Sequence, residues 1–343
     1  MKTIYSTILL LLFVGPIFGQ VDRTEPPKAG PAPEFEFESP SSFTMDNGLE
    51  VIVSENHEMP LVSFKLAVDV DPVKENEAVG YVDAASNLLR NGTVNHEKSE
   101  IDESVDFIGA SLYTFENGLY ANCLSKHTDK LLDVMSDVVM NPTYPEEEVE
   151  KYKKQSKSEL ASSKTNASFI AQRVARKLRN GDHPYGELKT EKTIDNINPT
   201  LCKDYHGTYY KPNVSYLVMV GDITTEEAKK YAEKYFGDWK KSEVPEHTFE
   251  FPESNKEPRV ALVNKEDAVQ SVISVTYPVD LTVGDDDAIK ARVTNNILGG
   301  GVFSGYLMKN LREDKGYTYG ARSNLVKDSE VGYFKAGAEV GTE

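Results

Sequence analysis

Apolar and polar residues alternate along this chain in two periods, one close to 2 and one close to 3.6, which predicts a mixture of strands and helices. Residues 43–53, FTMDNGLEVIV, form a predicted hairpin turning on Asn47-Gly48, a dipeptide suited to the left-handed positions of a tight turn. A second strand run covers 61–70. Over 78–90, Tyr81, Val82, Ala85, Leu88 and Leu89 fall at i, i+1, i+4, i+7 and i+8, the apolar stripe of a helix, and Gly92 follows as its stop. A helix near 99–108 precedes strands around 110–114 and 119–124, divided by Asn117-Gly118. Residues 130–140 predict a helix ended by Asn141-Pro142, and 145–179 a long helical region opening on Pro145. A buried strand is expected at 216–220. Thr224 and Glu227 then make a capping box for a helix with Ala228, Tyr231, Ala232, Tyr235 and Phe236 on one face.

Residues 241–257 are polar and hold two prolines, and after them the order of elements starts again. A strand at 51–53, another at 62–70, the helix 78–90 and Gly92 match runs at 260–262, 272–277, a helix at 286–298 and Gly299-Gly300. Val51 to Val260 is 209 residues, Leu89 to Leu298 is 209, and Gly92 to Gly300 is 208. A constant offset predicts a repeated domain. A second copy of full length would run well past Glu343, so the second domain is expected to be incomplete and the chain truncated. The expected organisation is a signal peptide at 1–19, a flexible lead at 20–42, an α/β domain at 43–245, a linker at 246–257 and the start of a second, similar domain at 258–343. The fold class is α+β, each domain an antiparallel-rich sheet backed by helices.

Composition narrows the partners. Lys2, the apolar run 8–14 and Gly19 give the pattern of a cleaved export leader, too short and wrongly flanked for a spanning helix, and no later segment is apolar enough to cross a membrane. The formal charge of −17 argues against nucleic acid, whose binders carry basic stripes. Cys123 and Cys202 are the only cysteines; they make no framework and are expected to pack as small apolar residues. The six histidines are scattered, with no two at i, i+3 or i+4, so a His-rich zinc site within the chain is not expected.

The helix over 80–93, GYVDAASNLLRNGT, places Asp83, Ser86 and Asn87 at i, i+3 and i+4. That is the spacing at which an H-x-x-E-H helix carries its two metal ligands and its general base. The slot is present and the histidines are not. Further pieces follow in order: Asp182-His183-Pro184-Tyr185-Gly186, then Tyr209-Tyr210-Lys211-Pro212-Asn213 leading into LVMVGDI, then ILGGGVFSGYLMKNLREDKGYTYG at 297–320. Together these resemble the insulinase/pitrilysin family of zinc peptidases and the processing-peptidase and core proteins that share its fold, over nearly all of 40–343. The triple glycine 299–301 lacks the Gly-Lys-Ser/Thr of a phosphate loop and is expected only to turn the chain.

The resemblance implies two domains enclosing a chamber, a metal helix in the first, and a glutamate on a later helix completing the zinc site. Asp83 and Asn87 then occupy the two histidine positions, Ser86 that of the general base, and Glu159 that of the later glutamate. Asn87 is a poor zinc ligand and Ser86 cannot serve as a base at neutral pH, so no catalytic residue and no metal are expected in this chain, apart from a weak hard-cation site of Asp83 and Glu159. Leu311-Arg312 to Tyr317-Thr318-Tyr319 matches the motif whose arginine and tyrosine face the zinc across the chamber, so Arg312 and Tyr319 are implied to hold substrate backbone and stabilise an oxyanion. The strand 119–124 fits the family's edge strand, to which an extended peptide adds, and is equally consistent with an ordinary sheet strand.

The function expected is that of a non-metal, catalytically inactive subunit of an exported peptidase, in a bacterial periplasm or envelope. Zinc and H-x-x-E-H would sit in a partner subunit, and the substrate would be a peptide or small unfolded protein. The alternatives are a scaffold or binding protein of the same fold, or a metal-dependent peptidase with altered ligands.

Overall fold

A computed structural model describes residues 30–31, 39–254, 257–266, 268–301 and 303–341. The leader 1–19 lies outside the described residues, as does most of the lead 20–42. The first strand, β1 (Ser41–Thr44), begins inside that lead. It pairs antiparallel with β2 (Glu50–Glu55), and the turn falls on Asn47-Gly48, where Gly48 has φ +90°. β3 (Leu61–Val68) is followed by α1 (Tyr81–Asn87) and α2 (Lys98–Phe107). The hairpin β4 (Ser111–Phe115) and β5 (Gly118–Leu124) leads to α3 (Thr128–Met140), α4 (Glu146–Ser163) and α5 (Ala167–Asn180). Then come α6 (Glu191–Asp195), α7 (Pro199–Tyr209), β6 (Ser215–Gly221) and α8 (Thr225–Phe236).

The strands form one six-stranded sheet in the order β1-β2-β6-β3-β5-β4. Every second side chain of its central strands points into a single core: Val51 and Val53, Val62, Phe64 and Leu66, Leu119, Ala121 and Cys123, Leu217 and Met219. Helices α1, α3 and α8 lie over that face. The other face stays wet, which is why these strands alternate rather than run continuously apolar. Cys123 and Cys202 are buried free thiols, and burial pushes them up to about 11 and about 12. They pack as small apolar side chains.

Three expectations in this part of the chain change. The helix expected at 78–90 shortens to Tyr81–Asn87, because Gly80 sits at φ +111°, outside helical space, and the chain turns after Asn87. The helical region 145–179 is two helices, since Asn166 leaves helical geometry and its side chain caps α5 by accepting from the Phe169 N–H at 3.1 Å. The strand 119–124 is not an edge. β5 lies between β3 and β4, because the Asn117-Gly118 turn folds β4 back along its outer side, and β4 is the edge.

A second sheet, of the order β7-β9-β8, holds β7 (Gln270–Val279), β8 (Ala321–Val326) and β9 (Gly332–Gly341). Between β7 and β8 run α9 (Ala288–Asn295) with a wide turn to Gly300, then a short helical stretch from Tyr306 to Asp314. This order repeats β3-β5-β4 of the first sheet. The strand expected at 260–262 does not form, and Val260 and Leu262 are exposed. Its counterpart β2 is held by parallel pairing to β6, and no described strand of the second sheet plays that part. Residues 239–254 carry no regular structure but are not free: the His247 N–H donates to Asp71 at 2.7 Å, and the Phe249 ring meets His183. Residues 40–343 make one compact unit, in which α5 packs on β7 and the Arg179 guanidinium lies 3.7 Å over the Tyr333 ring. Among the described residues no helix is long and apolar enough to cross a membrane.

His206 on α7 stacks on Tyr210 with ring centroids 4.8 Å apart. Its Nε2 meets the Val139 carbonyl at 2.7 Å, so Nε2 carries the proton. Burial pushes its pKa down to about 4. Between that value and the unfolded value of about 6.5 the unfolded chain binds more protons, so stability is full above pH ~6.5 and falls as pH drops toward 4, by roughly 3 kcal/mol. Urea melts across this range are expected to show that slope in the wild type and a flatter one in His206→Gln.

Candidate functional site

The short helix α1 brings the three residues of the metal spacing together. Its start is set by Glu75, a largely buried carboxylate whose Oε2 accepts the backbone N–H groups of Gly80 at 2.8 Å and Val82 at 3.0 Å. These are N–H groups that a helix start leaves without partners. Burial raises the Glu75 carboxyl above its usual range, against those two donors. The Glu75 and Asn76 N–H groups in turn donate to Glu187 at 2.7 and 2.9 Å.

Ser86 is fully buried. Its hydroxyl donates to the Val82 carbonyl at 3.1 Å and accepts from the Asn117 N–H at 3.0 Å. Its single proton is thereby used, which leaves Tyr210 as the donor in the 3.3 Å contact between the two hydroxyls. Both oxygens of Asp83 are engaged. The Asn87 amide donates to Oδ1 at 2.7 Å, the Tyr152 hydroxyl donates to Oδ2 at 2.8 Å, and the Lys189 ammonium forms an ion pair with the same Oδ2. Burial and the Asp83 charge push the Tyr152 phenol far above its usual range, so it remains a proton donor to the carboxylate. Glu159, on α4, is exposed and accepts from Gln155 at 2.8 Å; it is not among the partners of Asp83. Among the described residues no group of three or more His, Cys, Asp or Glu side chains is placed to hold a metal ion.

Arg312 and Tyr319 lie beside the second sheet, Arg312 in the helical stretch from Tyr306 to Asp314 and Tyr319 just before β8. They line one groove of about 940 Å³, floored by Ile273, Val275 and Ala338 of the sheet and walled by Leu307 and Leu311. Both are exposed, Tyr319 to 88%, and among the described residues neither side chain has a hydrogen-bond or ion-pair partner. The edge strand β4 runs beside α1, where Thr114 Oγ1 meets the Asn87 carbonyl at 3.4 Å.

Comparison with known proteins matches two family models to most of this chain: Insulinase (Peptidase family M16) over residues 50–186, and Peptidase M16 inactive domain over residues 196–343. The chain belongs to the insulinase family. Within that family it is 27% identical over 288 residues to a Bacillus subtilis protein named zinc protease YmxG, covering 82% of this chain and 69% of that protein. A peptidase M16 inactive domain from Pseudomonas fluorescens superposes with a TM-score of 0.77 at 22% identity, over 89% of this chain and 75% of that one. The periplasmic protease PqqL from Escherichia coli superposes with a TM-score of 0.68 at 17% identity, over 90% of this chain and 36% of that one. The last two likenesses carry the fold alone.

An insulinase-family fold implies zinc, and the residues here do not fit it. Tetrahedral zinc needs imidazole, thiolate or free carboxylate with one open position. Asn87 offers an amide already turned to Asp83, Asp83 is neutralised by Lys189, and Ser86 is enclosed by three partners. The residues missed by sequence reasoning are those that close the pocket: Glu75, Tyr152, Lys189 and Tyr210. Lys189 follows the 182–186 loop by only three residues, but nothing periodic marks a contact between positions 106 apart.

Ser86→Ala is expected to leave the Asn117 N–H and the Tyr210 hydroxyl without a buried partner. That costs about 1–3 kcal/mol, read as a lower urea midpoint at unchanged slope. A wild-type midpoint would mean that the hydroxyl is not part of the packed structure.

Proposed function

We propose that this chain is the non-metal, catalytically silent subunit of an exported insulinase-like peptidase. Arg312, Tyr319 and the chamber wall come from this chain, and zinc with H-x-x-E-H comes from a partner subunit of the same family. The observation that carries the reading is an asymmetry. The face that would grip a metal is closed by hydrogen bonds and an internal ammonium, while the arginine and tyrosine of the opposite motif stand uncommitted on an open groove.

The chemistry of the two halves supports this division. Without a metal to lower the pKa of water, or a carboxylate to take its proton, amide hydrolysis loses both main contributions. A guanidinium and a phenol need neither; they are fixed donors that act wherever negative charge develops in a neighbouring site. An extended peptide would add to the free side of β4, which lies beside α1, so that the substrate runs past the closed pocket. The likeness of this chain to part of PqqL, whose chain is far longer, supports a partner of the same fold. That protein's periplasmic location, with the leader-like 1–19, supports export to a bacterial periplasm or envelope.

Mixing the purified chain with an H-x-x-E-H family subunit is expected to raise cleavage of an extended peptide at least tenfold over either chain alone. Arg312→Ala, a change at an exposed position, should remove most of that gain, on the order of tenfold or more, with unchanged circular dichroism. No gain on mixing would favour the scaffold reading. Cleavage by this chain alone would favour an altered metal site.

A further inference from the structure

The Lys189 ammonium is the ion-pair partner of Asp83. Glu75 feels the charges of both Lys189 and Glu187, and its N–H donates to Glu187 at 2.7 Å. Asp83 and Lys189 are each little more than one-third exposed, at 38% and 37%, so the pair is only partly screened by water. The lysine is also led there. Its stem lies along Gly80, where an added Cβ would stand 3.1 Å from Cε, 3.2 Å from Cδ and 3.3 Å from Cγ. Any side chain at 80 would crowd this path, and φ +111° there already favours glycine. The other end of the residue is fixed as well: the Lys189 carbonyl accepts from the Arg173 guanidinium of α5 at 2.6 Å, and Thr190 caps α6.

We infer that Lys189 is a tethered cation standing in for the metal ion, which holds Asp83 in place and keeps this pocket from taking a free ion. The inference rests on reading Asp83, Ser86 and Asn87 as the family's metal face. It concerns only the charge balance of that face, not the partner. Physically, a carboxylate cluster folded without a cation repels itself, and a tethered ammonium supplies the charge at high effective concentration with no dissociation. A divalent ion competing for Asp83 would have to displace a group that cannot leave. The arrangement also ties this face of α1 to the second sheet. Lys189 is held by α5, and α5 packs on β7 of the sheet that floors the Arg312 groove.

The test is thermal unfolding at low ionic strength. Lys189→Met keeps the stem against Gly80 and removes only the charge; it should lower Tm by roughly 3–6 °C. Asp83→Asn in the Lys189→Met background should recover part of that loss, since the carboxylate left without its cation is then gone. Lys189→Ala should regain stability with propylammonium, which replaces the missing stem and charge, relative to sodium chloride at equal ionic strength. The wild type should show no such gain. A wild-type Tm for Lys189→Met, additive losses in the double variant, or an equal response of wild type and Lys189→Ala to propylammonium would each overturn the inference. None of these results depends on the peptide-cleavage assay, and failure of that assay would leave them unchanged.

Discussion

The ion pair between Asp83 and Lys189 is the interaction on which the metal-spaced face of α1 depends, and the chain supplies that cation itself. Several contacts around α1 converge on this pairing. Tyr152 reaches α1 from α4 to share the carboxylate, its hydroxyl donating to Asp83 at 2.8 Å. Gly80 must lack a side chain to let the lysine stem pass. Glu187 must face the loop before α1, since its carboxylate receives the two N–H groups at Glu75 and Asn76. The face with the metal spacing is here a hydrogen-bond network of protein groups, in which both Asp83 oxygens already have partners.

The fold separates this closed face from an open one. The six-stranded sheet buries one face completely and leaves β4 as a free edge beside α1. The three-stranded sheet presents Ile273, Val275 and Ala338 under Arg312 and Tyr319. Buried hydrogen-bonded side chains hold a structure and contribute little to new chemistry, because their donors and acceptors are spent. Exposed donors such as Arg312 and Tyr319 remain available to a ligand.

Much of the architecture was legible in the chain because it is written in local signals. The Asn47-Gly48 turn, the Thr224–Glu227 capping box and the strand around 216–220 all stand where periodicity and turn chemistry put them. The metal spacing at 83, 86 and 87 was legible for the same reason, since it is a property of one helix. What was not legible depends on pairing at a distance. β5 matches the family's edge strand by resemblance, yet β4 folds along it across the Asn117-Gly118 turn. The run 260–262 looked like a strand because its composition matches β2, yet a strand exists only where another backbone takes up its hydrogen bonds. Glu159 takes the later-glutamate position only through the family resemblance and accepts from Gln155, while Lys189, with no recognisable signature, pairs with Asp83.

The account stands on the claim that the Asp83 face has exchanged a removable ion for a covalently attached one. An equilibrium zinc titration of the purified wild-type chain against a competing chelating dye addresses it directly. The account predicts no stoichiometric zinc at micromolar free metal. One zinc per chain held at micromolar affinity or tighter, and lost on Asp83→Ala, would contradict it.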